Sequence, residues 1–160
     1  MKKLVLALML AACGGREIPT SLDLPILASR EIIADDFTYN HPEVPDFEYE
    51  RVRAAARRAM NSSRRYVIHI TGHTDDLGSD RENYILGMKR AEHVAEMFHE
   101  EGVPFERMIL ESKGKYQPYV PDDSPENRSH NRRVEMEILC SPKPMFEFLS
   151  KNHPIHMVEQ

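Results

Sequence analysis

The chain of 160 residues has no apolar run long enough to cross a bilayer: the run from Leu4 to Ala12 covers nine residues, where a membrane helix needs about 20. Excess positive charge is missing too. The formal net charge is -5, and more negative still if Lys2 and Lys3 leave with a leader, so nucleic acid phosphates are repelled rather than recruited. Arginine is nevertheless clustered, at 51–65 and at 128–133, so a small anionic group such as a carboxylate has local partners. There is no internal repeat, which excludes solenoids and arrays. Hydrophobic (41%) and charged (29%) contents are ordinary for a globular protein of one domain, and the 11 prolines point to irregular segments outside the core.

Met1-Lys2-Lys3, the apolar run and Leu10-Ala11-Ala12-Cys13 have the order of a secretory leader with a small-residue cleavage site. The cysteine directly after Leu-Ala-Ala is similar to a lipobox, which implies cleavage before Cys13 and acylation of its thiol. The alternative is a plain leader with an incidental cysteine. Several acyl chains on one residue exceed the marginal hold of a single chain, since each buried methylene adds roughly 0.8 kcal/mol. Gly14 stands where an aspartate retains such proteins in the inner membrane, so the expected address is the outer membrane, with the domain facing the periplasm. The only other cysteine, Cys140, is then an odd thiol, either unpaired at a strand end or paired between chains.

The expected organisation is a leader over 1–12, an anchored linker over 13–29, a folded domain over 30–140 and a tail over 141–160. The linker's Gly-Gly start and two prolines favour a tether with a root-mean-square span of about 20 Å. Within the domain, strands are expected at Glu31 to Phe37, Tyr66 to Thr71, Met108 to Ser112 and Val134 to Leu139. Tyr66, Ile68 and Ile70 alternate with Val67, His69 and Thr71, the period-two signature of a half-buried strand. Helical spacing marks Glu48 to Met60. Ser79 and Glu82 form a capping box for a second helix that Gly102 stops. Its core stripe is read as Tyr84, Met88, Ala91, Ala95 and Phe98, with Asn83, Gly87 and Arg90 on an adjacent face.

Three separated blocks then stand out: Gly72-His73-Thr74-Asp75-Asp76-Leu77-Gly78 with Asn83; Arg90-Ala91 with Val94; and Asn131-Arg132-Arg133-Val134-Glu135. In identity and spacing they resemble the OmpA-like, peptidoglycan-associated lipoprotein family, over about residues 66–138. The resemblance implies an α+β fold, βαβαβ-β, with a mixed four-stranded sheet and helices packed on one face. It also implies a noncatalytic domain without cofactor or metal, which holds peptidoglycan through the diaminopimelate of its stem peptide and ties it to outer-membrane lipid through Cys13.

Diaminopimelate carries an ammonium and a carboxylate on one carbon, so its receptor needs an anion and a bidentate cation a few ångströms apart. Asp75 in the loop and Arg90 on the helix fit those roles, and the family contacts its amino acid at these positions. Asn83 is expected to fix the loop, Thr74 and Leu77 to offer backbone groups, and Arg132 to approach from the last strand. The alternative is a plain Asp75–Arg90 salt bridge tying loop to helix, worth at most about 1 kcal/mol if exposed. Gly87 replaces the family's usual serine, a change read as weakening the helix by up to about 1 kcal/mol and removing a hydroxyl near the site.

A zinc enzyme built on His69, His73 and Asp75 is disfavoured, because the two histidines straddle a strand end and no HExxH glutamate accompanies them. An interaction module docking another envelope protein remains the rival reading, with the Arg57-Arg58 and Arg64-Arg65 pairs and the segment Tyr116 to Pro125 as its candidate surface.

Overall fold

The computed structural model describes residues 30–61 and 66–140, with the backbone alone of Tyr66 and Cys140. The readings for Cys13, the leader, the linker, the tail and the Cys140 thiol lie outside what is described.

Alternation in β2 (Tyr66–His73) puts Ile68 and Ile70 on one face, where both are wholly buried. The register sets Ile138 opposite Ile68, Met136 opposite Ile70 and Val134 opposite Gly72 on the antiparallel strand β4 (Val134–Cys140). One apolar face therefore continues from strand to strand. On the far side of β4 lies β1 (Glu31–Ala34), antiparallel, and beside β2 lies β3 (Met108–Gly114), parallel, giving the order β1-β4-β2-β3. A parallel neighbour requires a crossover. The helices α1 (Tyr49–Met60) and α2 (Asp80–Glu100) supply the two connections and cover the apolar face.

The core is one cluster in which Val52, Ala55, Ala56 and Ala59 of α1 and Ala91, Val94, Ala95 and Phe98 of α2 meet Ile33, Phe37, Ile68, Ile70 and Val134. Truncating a wholly buried phenylalanine such as Phe98 to alanine costs about 3–5 kcal/mol by lost transfer energy and cavity formation. The α+β architecture with a mixed four-stranded sheet is as expected.

Both ends of α2 carry their sequence signals into geometry. Ser79 accepts from the Glu82 amide at 3.3 Å and Glu82 accepts from the Ser79 amide at 3.1 Å, completing the capping box. At the other end Gly102, at φ 96°, donates to His99 O while Val103 donates to Phe98 O, the paired bonds of a Schellman ending.

Four expectations need correction. Tyr84 does not face the core; it is 53% exposed. Asn83, Gly87 and Arg90 belong to the inward face, with Ala91, Val94, Ala95, Met97 and Phe98. The first turns of α2 overlook polar chain rather than core, so hydrophobicity misplaces the stripe there. Gly87 is also no mere weak point. A Cβ on it would fall 2.3 Å from Ser112 Oγ and 3.0 Å from Gly72 O, and a Cβ on Gly72 would fall 1.8 Å from Gly87 O. The two glycines let helix and strand meet backbone to backbone.

Strand limits shift as well. β1 ends at Ala34 because Asp36, at φ 55°, turns the chain, whereas β2 runs through Gly72 to His73 and β3 through to Gly114. Finally, the proline-punctuated stretch before β4 holds a third helix, α3 (Pro125–Asn131), which Ser124 caps by accepting from Asn127 N at 3.1 Å. Serine followed by proline at the first helical position is a start signal that the surrounding prolines obscured.

Candidate functional site

β2, an interior strand, ends next to the N-terminus of α2, so the loop between them is pinned from both sides. Thr74 N donates to Gly114 O at 2.9 Å, and the Thr74 hydroxyl donates to Asp75 O at 3.0 Å. From the helix, Asn83 Nδ2 donates to Leu77 O at 2.9 Å. Asp75 is thereby held in place and is only 2% exposed. A carboxylate so far out of water needs a cation. That cation is Arg132, whose Nη1 lies 2.9 Å from Asp75 Oδ2 and whose Nε donates to Phe37 O.

Arg90 is therefore not the ion-pair partner of Asp75. Wholly buried, it donates from Nε to His41 O at 3.1 Å, from Nη1 to His73 O at 2.8 Å and from Nη2 to Thr38 O at 3.3 Å. Its guanidinium also lies over the Phe37 ring, 4.9 Å from the centroid. Burial pushes its pKa down to about 9, against the pull of Asp75 and with the push of Arg132, so it stays cationic at neutral pH. Of its five N–H donors, the three bonds leave two.

A cavity of about 180 Å³ opens over this arrangement, lined by Asp75, Leu77, Asn83 and Arg90 and by residues not foreseen, among them Tyr39, Asn40 and Glu82. Thr74 and Arg132 do not line it; they hold Asp75 from behind. The volume is below the roughly 300–1,000 Å³ of drug-sized pockets, which suits one small polar group rather than a whole ligand. Tyr39 and Asn40 arrive through a turn in which His41 N donates to Thr38 O, with Asn40 at φ 57°. Asparagine tolerates that left-handed conformation, so Asn-His-Pro after a strand was a readable turn signal.

The Asn131-Arg132-Arg133 signature divides its labour. Asn131, wholly buried, accepts from Tyr119 N and Val120 N and donates to Val120 O and Asp122 Oδ1, folding the preceding loop around one side chain. Arg132 serves Asp75. Arg133 points to the other face of the sheet, donating to Glu135 at 2.7 and 2.8 Å and to Gln117 O at 3.1 Å, with Tyr119 against its guanidinium.

On that other face Glu135 also has Arg30 Nε 3.3 Å and His73 Nε2 3.6 Å from its Oε2. Burial acts to raise the Glu135 pKa, but the partnership with His73 and Arg133 outweighs it and holds the carboxyl at about 2. Burial lowers the His73 pKa. The earlier picture of His69 and His73 straddling a strand end is wrong: both lie within β2, on this one face. Four strand residues span about 13 Å, too far for a shared metal. Among the described residues no group of three His, Cys, Asp or Glu is placed to hold a metal ion.

The OmpA family profile matches residues 37–132. The chain is 30% identical over 147 residues to the peptidoglycan-associated lipoprotein of Mesorhizobium japonicum, covering 84% of this chain and 88% of that one. It is 36% identical over 67 residues to the outer-membrane lipoprotein YfiB of Pseudomonas aeruginosa, of which it spans 40%. It spans 13% of the photosystem I P700 chlorophyll a apoprotein A2 of Gloeobacter violaceus, at 32% identity over 113 residues. The crystal structure of the peptidoglycan-associated lipoprotein from Burkholderia pseudomallei superposes with a TM-score of 0.61 at 26% identity, covering 69% of this chain and 90% of that one. With more than half its length matched by that profile, and with this sheet order and helix placement, the chain belongs to the OmpA family.

Proposed function

We propose that the cavity over Asp75 and Arg90 takes the zwitterionic end of diaminopimelate in a peptidoglycan stem peptide, and that the domain holds the cell wall by binding alone. The observation that supports this most is the convergence of a buried carboxylate and a buried guanidinium with unused N–H groups on one small cavity. The ligand's ammonium suits Asp75, whose Oδ1 carries no bond while Oδ2 is held by Arg132. The ligand's carboxylate suits the remaining donors of Arg90, a cation on a planar fork. Leu77 and Asn83 wall the space between. Two relatives' names point the same way, one peptidoglycan-associated and one an outer-membrane lipoprotein. On this reading acylated Cys13 anchors the chain in the outer membrane, and the domain ties that membrane to the wall.

The test is co-sedimentation with purified peptidoglycan. Asp75→Asn keeps the shape and removes the charge, and loss of a buried, hydrogen-bonded charge pair costs about 2 kcal/mol or more, roughly a 30-fold weaker Kd. Retention of wild-type binding by a folded Asp75→Asn protein, and by Arg90→Lys, would sink the proposal.

A further inference from the structure

His73 has a hold on both faces of the sheet. Its carbonyl accepts from Arg90 Nη1 at 2.8 Å, and its chain continues through Thr74 to Asp75. Its amide donates to Arg133 O at 2.9 Å. Its ring is wholly buried on the opposite face, where neither nitrogen has a hydrogen-bond partner and where Glu135 Oε2 likewise has none. Glu135 Oε2 has the Arg30 ion pair at 3.3 Å, so the two ring nitrogens are the atoms left without a partner, and buried polar atoms of that kind are uncommon in a native protein.

We propose that His73 is a positioning residue for the ligand site, with its neutral ring setting the place of the carbonyl that holds Arg90, so that protonation of this ring weakens ligand binding. The proposal rests on the reading of Asp75 and Arg90 as the ligand site.

The charges facing the ring give the direction. From β4 come Glu135 and Arg133, which bind each other; from the residue before β1 comes Arg30, against the same carboxylate. From β3, Glu111 is paired with Lys113 and with His69, not with His73. A proton on His73 therefore adds a cation beside a carboxylate that already answers to two guanidiniums, the buried Arg133 and the half-exposed Arg30. The nearest relief is Glu135 Oε2, at 3.6 Å. A charge-assisted bond needs about 2.8 Å, so ring and carboxylate must close by about 0.8 Å. β2 and β4 are hydrogen-bonded neighbours there, and the shift is transmitted to the carbonyl on which Arg90 rests. Burial lowers the pKa of this histidine, which places the event on the acid side of neutrality.

The experiment measures binding of a diaminopimelate-containing tetrapeptide to the full chain by calorimetry between about pH 8 and about pH 5, for the wild type and for His73→Gln. The wild-type Kd should rise on the acid side, approaching about tenfold per pH unit, the limit for one linked proton, while His73→Gln stays flat over the same range. An equal acid limb in both proteins overturns the proposal. A second readout needs neither ligand nor variant: in the NMR spectrum of the wild type, the Arg90 Nε–H resonance should move with the midpoint at which the His73 ring titrates. An Arg90 resonance indifferent to that titration also overturns it. If Asp75→Asn binds the tetrapeptide like wild type, the site reading fails, and the Arg90 resonance still decides the role of His73.

Discussion

Gly72→Ala is the sharpest test of how α2 is seated. The new Cβ would lie 1.8 Å from Gly87 O, and real Cβ atoms are essentially never closer than 3.0 Å to such an atom, so helix and strand must separate by at least 1.2 Å. Both contacting groups are backbone, and no rotamer change relieves them. A gap of 0.5–1 Å already forfeits about a quarter to a half of each dispersion contact across an interface, and here the interface includes Ile70, Ala91 and Val94, all wholly buried. Overpacking of this kind costs about 1–3 kcal/mol, occasionally more; with a backbone clash on a central helix we expect about 3 kcal/mol. In urea denaturation that is a clear fall in midpoint at unchanged slope, and a Tm lower by roughly 10 °C or more. Gly87→Ala is the companion. There alanine gains about 1 kcal/mol of helix propensity, against a clash with Ser112 Oγ that rotation relieves by giving up the bond from Gly114 N, and a 3.0 Å approach to Gly72 O that needs only a small backbone adjustment. Its net effect should be within about 1 kcal/mol of zero, because gain and loss are of similar size. Equal stability of Gly72→Ala and wild type would refute the backbone-to-backbone seating.

Ser79→Ala removes the cap of α2 and should cost about 1 kcal/mol by thermal denaturation, with Glu82 losing the hydroxyl that now holds its pKa below the ordinary value. Arg133→Ala strips Glu135 Oε1 of both its bonds and leaves the buried carboxylate only the half-exposed Arg30, which should destabilise by about 3 kcal/mol; Arg133→Ala combined with Glu135→Ala should recover much of that, as a double-mutant cycle would show. Stability should fall with acid in two stages. The His73 pKa is depressed in the folded state, so its contribution is present above the ordinary histidine range near 6.5 and is lost as pH falls through the folded value. Glu135, held at about 2 against an ordinary 4.5, contributes above 4.5 and loses that contribution between 4.5 and about 2. Urea midpoints against pH should lose the first stage in His73→Gln and the second in Glu135→Gln; a single stage common to all three proteins would contradict the buried cluster.

Local and periodic signals carried most of the fold. The caps of α2 were readable because a side chain three residues away, or a glycine at positive φ, decides them without reference to the rest of the chain. The core face of β2 was readable because strand alternation needs only one buried side. The inward face of α2 near its start was not: hydrophobicity points at Tyr84, while packing there is set by two small residues 15 positions apart, Gly72 and Gly87, whose meeting is a tertiary fact. For the site, the motif resemblance brought Asp75, Leu77, Asn83 and Arg90 to one cavity. The pairing was not legible, and the alternative of an Asp75–Arg90 salt bridge is replaced by Asp75–Arg132. That Asp75 answers to Arg132 across 57 positions, and Arg90 to three carbonyls from two segments, depends on chain ends meeting in space.

That last arrangement has a thermodynamic consequence. Arg90 fastens the connection after β1, at Thr38 and His41, to the end of β2 at His73 through protein groups alone. If Arg90 is the binding cation proposed above, a receptor whose cation is also its rivet has little left to order on binding. The entropy of arranging the loops is absorbed in folding, leaving mainly the dehydration of two charged groups as the cost of association. On the proposed reading such a site gives a rapid, rigid grip of modest strength on a single residue, and firmness against a wall of many identical stem peptides comes from the number of chains engaged rather than from the closure of any one.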